Sequence, residues 1–182
     1  MNKNEVTLMY NNKRKILLTL FALVLIVISQ SVSPVIGQFF SDMLTDVILI
    51  VSVMVLDTVP CAAVAAAAPF LQKLLGLTSL PIAILAIISI SNIMYITVYT
   101  ATFQIFASRT PWQKYFTWGV SILLSSFLKF EIQFITVEKY LIKILEINSE
   151  ITYSFGFNQF LSAAAAGFAA MLIIYPIKKK FK

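Results

Sequence analysis

From Leu17 to Tyr175 the sequence is a succession of apolar runs, each interrupted by proline, glycine or charge. Hydrophobic residues make up 59% of the chain and charged ones only 12%, and the mean hydropathy is +0.89. An ordinary soluble domain carries charge on about a quarter of its residues. The chain therefore belongs in a bilayer. A span needs about 20 residues, so 182 residues hold about six helices and leave no separate soluble domain. The expected fold class is all-α: one integral membrane bundle of about six transmembrane helices occupying residues 1–182.

The first span is Leu17 to Gln30. Lys13-Arg14-Lys15 precedes it in the manner of a secretory signal, but no small-x-small cleavage site follows, so it reads as a retained helix. Ser31 to Gly37 breaks it with Pro34 and Gly37. The second span is Ser41 to Leu56, closed by Asp57 to Pro60. The third, Cys61 to about Leu75, is built of alanine with Pro69 inside it, which a buried membrane helix tolerates when neighbours satisfy the freed carbonyl. The fourth opens at Ser79-Leu80-Pro81 and runs to about Ala107, ended by Arg109 to Pro111. The fifth starts near Trp112 and passes into an amphipathic segment, Glu138 to Glu150. The sixth, about Phe155 to Tyr175, is expected to stop at Pro176 and the lysines beyond it.

Positive charge sets orientation. With both termini cytoplasmic, ten of the fourteen basic residues lie inside, and the opposite face holds Asp42, Glu138, Glu146 and Glu150. That bias requires an even number of spans in the cell membrane. Trp112 and Trp118 suit an interfacial belt, with a deeper position as the alternative for Trp118.

Several function classes fall away. With no histidine, zinc-type intramembrane proteolysis and most general-base chemistry are excluded, so no catalytic residue, metal or cofactor is expected. Asp42 and Asp46 share a helix face but are placed at the wet edge of a span. No glycine-rich phosphate loop is present, so any energised transport must draw on a separate ATPase. Cys61 has no disulfide partner and reads as a small packing residue. The net charge of +6 sits at helix ends and not in a patch interleaved with exposed aromatics, which argues against nucleic acid.

What remains is binding. Lys129 lies in the middle of the stretch from Trp112 to Ile135, where an ionisable group costs about 2.5 to 3.5 kcal/mol on insertion scales and normally faces a protein interior or a wet cavity. Ser125, Lys129 and Gln133 follow one another at a spacing of four, on one helix face. The fourth span carries a second polar stripe, Asn92, Tyr95, Tyr99 and Thr102, and the sixth contributes Asn158 and Gln159. The three would converge on the outer half of the bundle. The alternatives are interhelical hydrogen bonds that only hold the bundle together, and a Lys129 that snorkels or pairs with Glu131, Asp42 or Asp46. Small-residue faces, Ala62 with Ala66, Ala163 with Gly167 and Ala166 with Ala170, allow close helix packing within the chain or against a partner.

The order of a short basic N-terminus, a first helix, a Pro-containing outer loop, an apolar second helix and then the run from Ala62 through Ala68-Pro69 to Gly76 resembles the substrate-binding S components of energy-coupling-factor (ECF) vitamin transporters. The likeness continues through Leu80-Pro81, the Asn92 to Tyr95 stretch, Lys129, and Asn158-Gln159 with the small-residue face to Gly167. It covers most of the chain by pattern rather than by a diagnostic signature. The resemblance implies a six-helix subunit that captures a vitamin-like small molecule from outside and hands it to a transmembrane coupling subunit and two ATPases. It also implies a pocket lined by Asn92, Tyr95, Tyr99, Lys129 and Gln159, covered in part by Ser31 to Phe40. One departure is the first helix, where Ala22 has Leu18 and Ile26 at four residues' distance and not the alanines many relatives carry.

Lys129 would favour an anionic or carbonyl-bearing cargo, and Lys129→Met is expected to abolish binding while leaving the fold intact. The competing function is a non-transporting accessory or assembly subunit that packs on another membrane protein. A self-sufficient ion-coupled carrier is the weaker third choice, because the two halves show no internal repeat.

Overall fold

A computed structural model of the chain describes residues 3–105, 111–141, 144 and 155–180. Seven α-helices account for most of them: α1 (Lys3–Ser31), α2 (Ser33–Ile36), α3 (Gln38–Leu56), α4 (Thr58–Leu74), α5 (Ile82–Ile105), α6 (Pro111–Gln133) and α7 (Phe157–Lys180). A π-helical stretch, Phe134–Leu141, continues α6 without a break. Among the described residues five helices are long and apolar enough to cross a membrane, and α4, at 17 residues, is a shorter apolar helix. The chain is an all-α, multi-pass membrane protein.

Several boundaries differ from the sequence reading: α1 already begins at Lys3, ahead of the expected first span, and two other breaks are built differently. The break after α1 holds one turn of helix, α2, with Pro34 in its first turn, where the missing N–H has no intrahelical acceptor to lose. Gly37, at φ 85°, then turns the chain into α3. At the other end, Pro176 does not stop α7, whose backbone stays helical to Lys180. A proline removes only one bond, to the carbonyl four residues earlier, and a helix otherwise in place survives that loss. The connection at 106–110, with Arg109, and most of the amphipathic segment, with Lys143, Glu146 and Glu150, lie outside the described residues.

Helix contacts close a ring in the order α1, α3, α7, α6, α5, α4 and back to α1. Short connections force successive long helices to alternate in direction. Lys15, early in α1, donates to Asp57 between α3 and α4 at 2.7 Å, whereas Ser41, at the start of α3, donates to the Ser29 carbonyl late in α1 at 2.9 Å. Leu18 of α1, Val55 of α3 and Ile173 of α7 line one apolar groove. The first and last described turns therefore share one end of the bundle. The α1–α3 and α4–α5 connections and the start of α7 occupy the other.

The apolar core is centred on Ile26, Leu49, Ile50, Cys61, Ala65, Ile96 and Ile122. Trp118 belongs to it rather than to an interfacial belt, 8% exposed with its ring 6.0 Å from that of Phe103. Outward-facing apolar side chains such as Leu17, Phe21 and Val24 on α1 are more than half exposed. Such a surface suits a lipid solvent.

The small-residue face of α7 is used inside the chain, and that of α4 is partly buried there. Ser89 of α5 donates to the Ala66 carbonyl of α4 at 3.0 Å, and Ala163, Ala166 and Ala170 of α7 are fully buried. At Gly167 a Cβ would stand 2.5 Å from Ile122 Cγ2 of α6.

The single-residue link between α3 and α4 stores strain. Asp57 has φ 105°, where L-residues rarely sit, at a cost of about 1–3 kcal/mol. Its ion pair with Lys15 is exposed and contributes at most about 1 kcal/mol. Asp57→Gly relieves the backbone strain and gives up only the weaker ion pair. Its thermal midpoint in detergent should equal or exceed that of the parent protein, and a clear fall would show that the pair outweighs the strain.

Candidate functional site

The ion pair that gathers the site joins α6 to α3. Lys129 Nζ donates to Asp46 Oδ1 at 2.5 Å, with the lysine side chain 5% exposed and the aspartate fully buried. Of the three carboxylates that the sequence offered as partners, Asp46 is the one used. This corrects the expectation that Asp46 stands at a wet span edge: α3 turns that face toward the ring interior. The Tyr95 ring flanks the same ammonium, with its centroid 5.3 Å from Nζ. An isolated charge at this depth would not be tolerated, and a carboxylate with an aromatic face compensates for much of the lost hydration.

One turn before Asp46, Asp42 collects glutamine amides from three elements. Gln38 Nε2 donates to Oδ1 at 2.8 Å, Gln30 Nε2 to the same oxygen at 3.3 Å, and Gln159 Nε2 to Oδ2 at 2.8 Å. Gln30 also donates to Thr45 Oγ1 at 3.0 Å, and Thr45 shares a hydrogen bond of 2.9 Å with Ser29. On the facing wall Gln133 Nε2 donates to Ser91 Oγ at 2.7 Å. Neutral amides thus solvate the carboxylate where water would otherwise be needed.

These groups surround a cavity of about 330 Å³ at the end of the bundle away from the first and last described turns. Its polar wall is Gln30, Asp42, Asp46, Asn92, Lys129 and Gln133, with Gln159 beside them. The apolar wall comes from Pro69, Leu80, Leu85, Ile88 and Phe155. The volume is in the range of small-molecule pockets, about 300–1,000 Å³, which combine apolar walls with a few placed polar groups. Three buried oxygens of the lining residues have no hydrogen-bond partner: Asp46 Oδ2, Asn92 Oδ1 and Gln133 Oε1. Unpartnered buried acceptors are costly, and these three belong to residues of α3, α5 and α6 that line the one cavity.

Of the five residues expected to line a pocket, Asn92, Lys129 and Gln159 do so together. Tyr95 and Tyr99 do not. The α5 stripe does face inward throughout, since Asn92, Tyr95, Tyr99 and Thr102 are all buried. A helix rises about 1.5 Å per residue, however, so Tyr99 sits about 10 Å below Asn92. Tyr95 donates to the Ala163 carbonyl of α7 at 2.9 Å, and Tyr99 reaches Met54 Sδ at 3.8 Å while stacking on Phe103. Both belong to the packed floor. Part of the expected covering loop reaches the cavity through Ser33 and Gln38, and Phe155, at the start of the expected sixth span, adds an aromatic ring to the lining.

Gln30 is the contributor that the sequence reading passed over, and Asp42 was named there as a possible partner of Lys129 but not as a pocket residue. The signal was present in Gln30 closing an apolar span and in Asp42 and Asp46 spaced one turn apart on the same helix. Among the described residues no cluster of metal-ligating side chains occurs. No family model matches the chain, and neither curated proteins nor solved structures contain a match to it.

Proposed function

We propose that the chain is the substrate-binding membrane subunit of an ECF-type importer, which captures a vitamin-like small molecule and delivers it through a coupling subunit and two ATPases. The observation that carries this reading is the half-polar cavity at one end of the ring, walled by Asn92, Lys129 and Gln159, with buried acceptors left open. A bundle held together only by interhelical hydrogen bonds gains nothing from leaving such a volume unfilled. Lys13, Arg14 and Lys15 lie toward the opposite end, so a cytoplasmic N-terminus turns the cavity outward, as capture requires. Of the small-residue faces on which an accessory-subunit reading stood, that of α7 is packed inside the chain at Ala163, Ala166, Gly167 and Ala170, while Ala62 and Ala66 of α4 are partly buried.

The test is native mass spectrometry of the full chain, gently purified in detergent. A retained small organic solute is expected, and Asn92→Leu, which conserves volume but removes the amide, should release it. Co-purification of a coupling subunit and ATPases would extend the result to the whole importer. An unrelated membrane protein bound stoichiometrically, with no solute retained, would overturn the proposal.

A further inference from the structure

We infer that the cavity selects a planar organic cation rich in N–H donors, an amidinium or an aminated heterocycle, and not an anion. The inference rests on the solute-binding reading above and deepens it. Taken alone, Lys129 favours an anionic cargo, but its charge is already matched by Asp46 at 2.5 Å. Asp42 is then left over, so the described lining residues carry two carboxylates against one ammonium. Lys73 is not among the lining residues, and its ammonium donates to the Leu80 carbonyl at 2.7 Å.

Hydrogen-bond capacity points the same way as charge. Asp46 Oδ2, Asn92 Oδ1 and Gln133 Oε1, on three different helices of the lining, are all acceptors without a donor. A carboxylate cargo would bring more acceptors to this lining and meet Asp42 with like charge. A cation with several N–H groups would satisfy the orphaned oxygens by charge-assisted bonds. Leu85, Ile88 and Phe155 supply the apolar walls that a flat ring requires. The residual N–H groups of Lys129 suit a single ring nitrogen or carbonyl on the same cargo.

Benzamidinium and benzoate make a matched pair of probes. Each is a phenyl ring with a planar three-atom head, and they differ in charge and in donor count. Titrated by calorimetry into the full chain in detergent, benzamidinium should bind at least about tenfold more tightly than benzoate. Asp42→Asn, which keeps the shape but removes the unmatched charge, should reduce that preference to about threefold or less. Tighter binding of benzoate would overturn the inference and leave the solute-binding reading standing. Binding of neither probe would also overturn it, and the retained-solute mass spectrum then decides separately whether the transport reading falls with it.

Discussion

Replacing Lys129 by methionine is expected to lower the thermal midpoint of the detergent-solubilised protein by about 10 °C, and adding Asp46→Leu to recover most of that loss. Lys129 and Asp46 are 5% and 0% exposed, so methionine alone strands a buried carboxylate on α3. Breaking such a pair from one side costs about 3–5 kcal/mol, whereas replacing both members with apolar side chains of similar volume is often neutral or stabilising. At about 2–4 °C per kcal/mol for a chain of this size, the single variant reads out as a shift near 10 °C. The expectation that Lys129→Met spares the fold applies to a lysine facing cargo alone, and the pairing with Asp46 replaces it. The pair of variants also separates two roles of the lysine. Solute retention lost in a double variant that folds as well as the parent would place the pair in binding, and retention kept there would confine it to structure. A single variant as stable as the parent would show that the carboxylate has another partner.

What the sequence could reveal follows from the range of the forces involved. Spans were legible because lipid imposes a length and an apolar composition on every crossing, so α3, α5 and α6 begin or end within a few residues of the sequence reading. Helix faces were legible too, because spacings of three and four reach neighbours within a turn. Depth was not. Asn92 and Tyr99 share a face, and nothing local says that the cavity ends above Tyr95. Pairing was equally hidden, since Lys129 and Asp46 are 83 residues apart and meet only because α6 and α3 occupy the same ring. The glutamines around Asp42 come from α1, α3 and α7, and each reads in isolation as an ordinary span-end polar residue.

The width of that ring between α6 and α7 is set at Gly167, where any side chain meets Ile122 of the facing helix. A Cβ at Gly167 would lie 2.5 Å from Ile122 Cγ2, 2.8 Å from Cγ1 and 3.2 Å from Cβ, so rotating the isoleucine tip does not clear all three contacts. Gly167→Ala must therefore separate the helices or displace Ile122, a strain of about 1–3 kcal/mol. Gly167→Leu adds three more carbons to the same space and should prevent recovery of a monodisperse, folded protein. Truncating the neighbour tests the cause. Ile122→Ala on its own leaves a cavity and destabilises, yet combined with Gly167→Ala the two losses should fall well short of additive, because each removes what the other collides with. Lys129 lies two turns beyond Ile122 on α6, so a helix pushed outward at Gly167 also draws the ammonium away from Asp46. Gly167→Ala is accordingly expected to weaken solute retention as well as stability, with Ile122→Ala restoring both together. Additive losses in the double variant would show that the small-residue face does not set the helix spacing on which the cavity depends.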